Sequence, residues 1–292
     1  MLRWAEISDR SEHDRYQTLS SVLNEAGFPN EFSFIEADAE RFSEVMKEAQ
    51  SQFGQLRIGG ELCRLVHLSA NHMSTVMLAL QTADTYAQMK ADGAFVRTQE
   101  EGGGESATWW PKNYLCEGIR RALISDLKAV DFSGGVFVLG AGAEARSVVA
   151  ALAKTGFFKF SVSDPDEEAG RGFIEEAEKV FFNCQFQFVP RHMITQLPSV
   201  NSVAVNTLVR GRDGGALDEL FYFNFLKPGG IWIDLPLERH DELDSEAVAV
   251  GAAVAPGYRV WAWSDFEWAS EILGIALPIE RLTEAYKNVR SS

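Results

Sequence analysis

The residues with the clearest chemical pattern are Gly140-Ala141-Gly142-Ala143-Glu144-Ala145, which follow the apolar run Val136-Phe137-Val138-Leu139 and precede the helix-forming stretch Arg146-Ser147-Val148-Val149-Ala150-Ala151-Leu152. A G-x-G-x-x-A turn between a strand and a helix presents main-chain N–H groups and a helix amino end to a diphosphate. Gly140 is the residue for the tight turn, Gly142 for close backbone approach and Ala145 for close helix–strand packing, with Ala141, Ala143 and Arg146 completing the candidate cofactor-binding stretch. Asp164, 24 residues after Gly140, ends the next strand-like run and stands where an acidic residue binds adenosine ribose hydroxyls. With Asp166, Glu167 and Glu168 beside it and Arg171 the nearest following arginine, this end of the strand predicts NAD in preference to NADP. The acidic group also suits a simple cap on the following helix, so both readings stand at this point. Glu144 brings a carboxylate into the first helical turn, close to where a diphosphate would lie.

The elements that must position this turn are legible as alternating patterns. Short apolar runs at Val136–Leu139, Phe160–Ser163, Phe186–Val189, Ser202–Val205, Ile231–Asp234 and Tyr258–Trp261 predict strands, with helices between them at Ala143–Lys154 and Glu167–Phe182. That alternation predicts a doubly wound, largely parallel sheet of the Rossmann type. Upstream, Leu2–Ile7, Glu31–Ile35 and Leu65–Leu68 read as extended and Arg15–Ala26 and Ala39–Gln52 as helical, while Ser264–Lys287 reads as largely helical. The fold class is therefore α/β, with a substrate-binding α/β domain over residues 1–111, a dinucleotide-binding domain over 112–264, and a C-terminal helix, 265–292, that packs back on the first domain. The glycine- and glutamate-rich stretch Glu100–Glu105 reads as a solvated loop.

The composition narrows the class of partner. Among 292 residues, 42 Asp and Glu against 27 Lys and Arg leave a formal charge of −15, which repels nucleic acid and anionic membrane. The cysteines Cys63, Cys116 and Cys184 are odd in number and form no C-x-x-C pair, so neither a disulfide framework nor a zinc ribbon is expected, and a reducing cytoplasm fits best. The N-terminus carries no apolar signal run, and no stretch is long and apolar enough to span a membrane. His67 and His72 are five apart and lack H-E-x-x-H spacing, so no metal is expected. Neither a G-x-S-x-G elbow nor a Walker A sequence occurs.

Several of these segments resemble the shikimate dehydrogenase family. Val138-Leu139-Gly140-Ala141-Gly142-Ala143-Glu144-Ala145-Arg146 is similar to its V-L-G-A-G-G-A-[AS]-R turn, and Asn206-Thr207 with Gly211 to its N-T-T-P-L-G segment. Asp234-Leu235-Pro236-Leu237 falls where the family has Y-N-P-L, Glu117–Leu123 resembles the helix after its N-T-D-G motif, and Phe266–Gly274 its closing helix. The resemblance implies a substrate domain before a Rossmann domain, a site in the cleft between them, a small carboxylate substrate and a role for Asn206 and Thr207 in cofactor binding. The family's catalytic lysine and aspartate fall at Cys63 or Arg64 and at Leu115, and Ser264 replaces a substrate-contacting glutamine.

A hydride-transfer reaction on a hydroxy acid still requires a group that moves the hydroxyl proton. Lys112, within Trp109-Trp110-Pro111-Lys112-Asn113, is the preferred candidate and His67 the second. Arg57 and Arg64 are candidates for gripping a carboxylate through paired hydrogen bonds, and Asn113 is a further substrate contact. Two functions follow: an oxidoreductase acting on a small hydroxy acid, or a catalytically silent nucleotide- or ligand-binding regulatory protein on the same scaffold. A homodimer is compatible with either.

Overall fold

A computed structural model describes residues 1–9, 13–66, 92–97, 108–126, 130–211, 213–220, 222–238 and 240–289. The chain divides into two units, one formed by Met1–Tyr114 with Asp265–Ser292 and the other by Leu115–Ser264. His67, His72 and the Glu100–Glu105 loop lie outside the described residues.

The first unit is built on a five-stranded sheet in the order β2-β1-β3-β4-β5, from β1 (Leu2–Ser8), β2 (Asn30–Glu36), β3 (Gln55–Ile58), β4 (Gly93–Arg97) and β5 (Thr108–Lys112). β1 pairs in parallel with β2 and β3, whereas β3–β4 and β4–β5 are antiparallel. Helices α1 (His13–Glu25) and α2 (Phe42–Gln52) provide the crossovers among the parallel strands. Tyr16, Leu19, Val22 and Leu23 of α1 are buried at helical spacing, as are Phe42, Val45, Met46 and Ala49 of α2. Trp4 of β1 contacts Tyr16, Phe32 and Trp268, which makes it the aromatic centre of this core. The segment after β3 corrects one expectation: Gly60–Leu65 forms a 3-10 helix and Val66 remains helical, so the run starting at Leu65 does not begin as a strand. Gly60 enters that turn at φ 57°, a conformation that favours glycine.

The second unit carries a six-stranded, all-parallel sheet in the order β11-β10-β9-β6-β7-β8. Its strands are β6 (Gly135–Leu139), β7 (Lys159–Ser163), β8 (Gln185–Phe188), β9 (Asn201–Asn206), β10 (Leu226–Asp234) and β11 (Ala253–Pro256). The central strands β6 and β9 are buried along their whole length, which is why they read as unbroken apolar runs, whereas edge strand β8 alternates between exposed and half-buried residues. Helices α3 (Tyr114–Arg121, starting in the first unit), α4 (Ala143–Thr155), α5 (Glu167–Glu178) and α6 (Asp241–Ala249) accompany the strands. Helix α7 (Gly257–Leu273) carries the second unit's end and the return to the first, where α8 (Ile279–Tyr286) follows. The strand order reverses between β6 and β9, and in such sheets the carboxyl ends of the two strands at the reversal form the usual ligand crevice.

The run Tyr258–Trp261, expected as the sixth strand, is instead the first turn of α7, and β11 lies just before it. Its aromatic and β-branched content imitates a strand, but Trp261 and Trp268 belong to a helix whose inner face packs into the protein. The turn is possible because Gly257 has no side chain. A Cβ there would lie 2.2 Å from the Leu235 carbonyl oxygen, 2.5 Å from that of Pro236 and 2.6 Å from that of Asp234. Arg259 then binds Asp126 through Nε and Nη2, each at 2.8 Å, and Trp263 Nε1 donates to the same carboxylate at 2.9 Å. Among the described residues no helix is long and apolar enough to cross a membrane.

Because all three Gly257 contacts are to backbone atoms that a rotamer change cannot relieve, Gly257→Ala is expected to destabilise the second unit by about 3 kcal/mol, read as a lower denaturant midpoint.

Candidate functional site

The β6–α4 turn is built by backbone constraints. Gly140 adopts φ 101° and its N–H donates to the Ser163 carbonyl at 2.8 Å. A Cβ at Gly140 would sit 2.2 Å from Thr207 Oγ1, so glycine is required both for the angle and for the approach of the β9 end. Thr207 closes that approach: its N–H and Oγ1 both donate to the Leu139 carbonyl, at 2.9 and 2.7 Å. Gly142 is the N-cap of α4, extended at φ −74° and ψ −166°, and supplies no capping side chain. Ala143 and Ala145 are buried against the sheet, and Glu144 is half-buried on the first helical turn. A left-handed glycine, a helix start without a side-chain cap and close packing by small residues fit a diphosphate on this turn.

Two side chains hold the turn from opposite sides. Asp164 Oδ2 accepts the Ala141 N–H at 2.7 Å, and its Oδ1 accepts the Asp166 N–H at 2.8 Å. Burial pushes this carboxyl above its usual range, with the Asp166 and Ala141 amides opposing the shift. Arg146 donates from Nη1 to the Ala141 and Gly142 carbonyls at 2.6 and 3.0 Å, while Nε and Nη2 bind Glu176 at 3.1 and 2.8 Å. Its side chain is 6% exposed, so Arg146 shapes the turn from beneath and its guanidinium does not face a ligand, a correction to its expected role as a contact. The two readings of the acidic group also separate: Asp166 caps α5, accepting from the Glu168 and Ala169 amides, while Asp164 serves the glycine turn.

Asn206, Asp234 and His240 form a buried chain at the carboxyl ends of β9 and β10. Asn206 Nδ2 donates to Asp234 Oδ1 at 2.7 Å and to the Leu208 carbonyl at 3.0 Å, and Asn206 Oδ1 accepts the Leu208 N–H. Asp234 Oδ2 lies 2.8 Å from His240 Nδ1. Burial works against a charged imidazole, but the hydrogen bond and charge of Asp234 outweigh it; with Arg210 opposing and Glu238 assisting, the His240 pKa is raised. Sequence reasoning missed this pair. Its only signal was an aspartate at a strand end with a histidine six residues later.

The first unit contains the remaining described candidates, Arg57, Arg64, Lys112 and Asn113. Arg57 is fully buried, with Nη2 3.2 Å from Asp92 and Nη1 3.0 Å from Asp265, and its guanidinium lies 5.2 to 5.7 Å from the ring centres of Tyr16, Tyr114 and Trp268. Burial alone would discourage its charge, yet Tyr16, Asp265 and Asp92 outweigh it and Arg15 opposes them, so Arg57 is held firmly protonated. It is a core cation, which corrects the expectation that it grips a substrate carboxylate: its charge is already spent on protein carboxylates. Arg15 and the Tyr286 hydroxyl converge on Asp265 Oδ2 at 3.3 and 2.8 Å, and Asp92 Oδ1 accepts the Tyr114 N–H at 2.6 Å. Arg64 is 45% exposed and pairs with Glu61, and Lys112 Nζ lies 3.1 Å from Glu271 Oε1. Asn113 is buried beside Lys112. Where the family resemblance places a lysine and an aspartate, Cys63 donates its S–H to the Ile58 carbonyl at 3.1 Å and Leu115 is buried.

The fold and this turn define a two-domain α/β protein whose second domain is of the Rossmann type. The same architecture occurs in shikimate 5-dehydrogenase from Thermus thermophilus, solved in complex with NADP(H) and shikimate, with a TM-score of 0.73, 18% identity and coverage of 99% of this chain and 100% of that one. Shikimate dehydrogenase from Aquifex aeolicus matches with a TM-score of 0.73, 15% identity and coverage of 99% and 98%. The ligand-free 5-ketofructose reductase of a Gluconobacter species matches with a TM-score of 0.73, 13% identity and coverage of 99% of both chains. In sequence, a 90-residue segment is 32% identical to the NADP(+) shikimate dehydrogenase of Geobacter metallireducens, spanning 31% of this chain and 30% of that protein. No protein-family model matches the chain. The chain thus has the two-domain shikimate dehydrogenase fold, as its motifs anticipated.

Asp265→Ala is expected to destabilise the first unit by about 3 kcal/mol, because it removes the buried carboxylate that Arg15 and Arg57 share and leaves Arg57 with Asp92; chemical denaturation measures it. The Asp234–His240 pair carries a pH signature. With the folded pKa above the 6.5 of a free imidazole, its contribution is complete below that value and declines as pH climbs through the folded pKa, so the stability gap between wild type and His240→Asn should narrow with rising pH.

Proposed function

We propose that this chain is an oxidoreductase that binds a nicotinamide dinucleotide on the β6–α4 turn, NAD in preference to NADP, and acts on a small hydroxy acid. The observation that carries the proposal is the Gly140 turn, whose positive φ, contact with Thr207 and helix start at Gly142 form a diphosphate cradle at the reversal of strand order. Gly142, Ala143 and Ala145 at the start of α4 would approach the diphosphate, while Gly140 and Ala141, whose N–H groups go to the Ser163 carbonyl and to Asp164, would shape the turn beneath it, with Asn206 and Thr207 bordering it from β9. When bound, the dinucleotide supplies the centre that accepts or gives hydride.

The cofactor preference rests on the end of β7. Each oxygen of Asp164 accepts one backbone N–H and keeps a second lone pair, which suits ribose hydroxyls. A 2′-phosphate would meet the negative charges of Asp164, Asp166, Glu167 and Glu168, and the nearby Arg171 is already paired with Glu167 at 3.5 Å. This preference separates the chain from the Geobacter and Thermus proteins, whose names carry NADP. Lys112, tethered by Glu271, is the group assigned to the hydroxyl proton, and half-exposed Arg64, with Asn113, the contact for the substrate carboxylate. His67 is the alternative base. The three cysteines form no disulfide with one another.

Fluorescence titration should give NADH an affinity at least about 10-fold above that of NADPH, and Asp164→Ala should bring the two close together. Equal or tighter NADPH binding in the wild type would overturn the preference. With shikimate, quinate and related acids, Lys112→Ala should lower kcat by about 100-fold or more, whereas undiminished turnover would remove its role. Binding without turnover on any such acid would leave a nucleotide-binding protein rather than an enzyme.

A further inference from the structure

His240 is 1% exposed, and its Nε2 has no hydrogen-bond partner among the described residues, although Nδ1 is fixed by Asp234. Buried polar atoms are normally paired, so a ring nitrogen left without a partner marks a place completed by something else. The chain behind it is itself complete. Asn206 orients Asp234 through Oδ1, and Asp234 orients the imidazole through Oδ2, a series that fixes the ring plane and therefore the direction of Nε2.

The location narrows what that partner is. Asn206 ends β9, Asp234 ends β10, and Thr207, next to Asn206, braces the Gly140 turn, so the relay borders the crevice at which the strand order reverses. The first turn of α6 beyond His240 carries Asp241, Glu242 and Asp244, which disfavour an anion there. A neutral oxygen acceptor is favoured. From the geometry we propose that His240 Nε2 is a hydrogen-bonding contact for a carbonyl, carboxamide or hydroxyl oxygen of the ligand seated at the ends of β9 and β10, with Asp234 and Asn206 as its positioning residues. This inference rests on the dinucleotide-site reading given above.

The charged groups around the ring agree with a donor at Nε2. Asp234 on β10 and Glu238 in the following loop favour the imidazolium, and Arg210 in the loop after β9 opposes it. Arg210, in that loop, pairs with the carboxylates of Glu242 and Asp218.

Long-range 1H–15N spectra of the full chain test the proposal, with His240→Asn identifying the His240 signals among the five histidines. Adding NADH, and then shikimate or quinate, should shift the Nε2 resonance. A shift with NADH alone assigns the acceptor to the cofactor's carboxamide, and a shift only after the acid assigns it to the substrate oxygen. His240→Asn keeps a donor near the Nδ1 position for Asp234 and removes Nε2, so ligand affinity should fall about 10-fold. His240→Gln, whose amide reaches the Nε2 position, should recover part of it. An unmoved Nε2 signal together with wild-type affinity in His240→Asn would overturn the inference while dinucleotide binding stands. If neither NADH nor NADPH binds the wild type, the underlying reading fails and the inference falls with it.

Discussion

The second unit depends on a turn of three residues whose polar backbone is secured from both directions. A carboxylate at the end of β7 takes the Ala141 N–H, and a guanidinium from α4 takes the Ala141 and Gly142 carbonyls. Neither arrangement works without the positive φ of Gly140, which lets the chain leave β6 beneath Thr207. The axis of α4, the spacing of β6 from β9 and the direction of the helix amides all follow from it. Preorganisation of this kind leaves little backbone freedom to be lost when an anion arrives.

The first unit solves a different problem. Arg15, Arg57, Asp92 and Asp265 are drawn from four distant parts of the chain into a core of tyrosine and tryptophan rings. Ions placed in such surroundings lose their hydration, and they persist because each carboxylate meets a guanidinium or a hydroxyl. Their contribution is geometric: the network ties α1, β3, the start of β4, α7 and α8 to one arrangement. The chain has the shikimate dehydrogenase fold, and where the resemblance places a lysine and an aspartate it carries Cys63 or Arg64 and buried Leu115.

Much of this fold could be read from the sequence because buried parallel strands carry apolar runs, as in β6, β9 and the end of β10, while β7 shows the alternation of a half-covered strand. The glycine turn was legible because its spacing is a backbone requirement. Tyr258–Trp261 misled because aromatic and β-branched residues serve a buried helix as readily as a strand, and only the crowding around Gly257 separates the two. The short β3 alternates polar and apolar residues over only four positions, all of them buried, and Arg57 looked like a ligand contact because its carboxylate partners lie far away in sequence. The site was legible where backbone geometry dictates residue type. It was not legible where distant side chains meet, as at Arg146 and Glu176 or at Asp234 and His240.

The buried charges of the first unit also constrain how this protein can diverge. Losing Arg57 takes the guanidinium from Asp92, and losing Asp265 takes a carboxylate from both Arg15 and Arg57, whereas replacing the whole set with well-packed apolar side chains is tolerable in principle. Single steps at Arg57 or Asp265 therefore pass through less stable intermediates. Lineages descending from this chain would hold these positions nearly constant even if the reaction they once served were lost, so invariance at Arg57 or Asp265 would be a record of architecture rather than of chemistry.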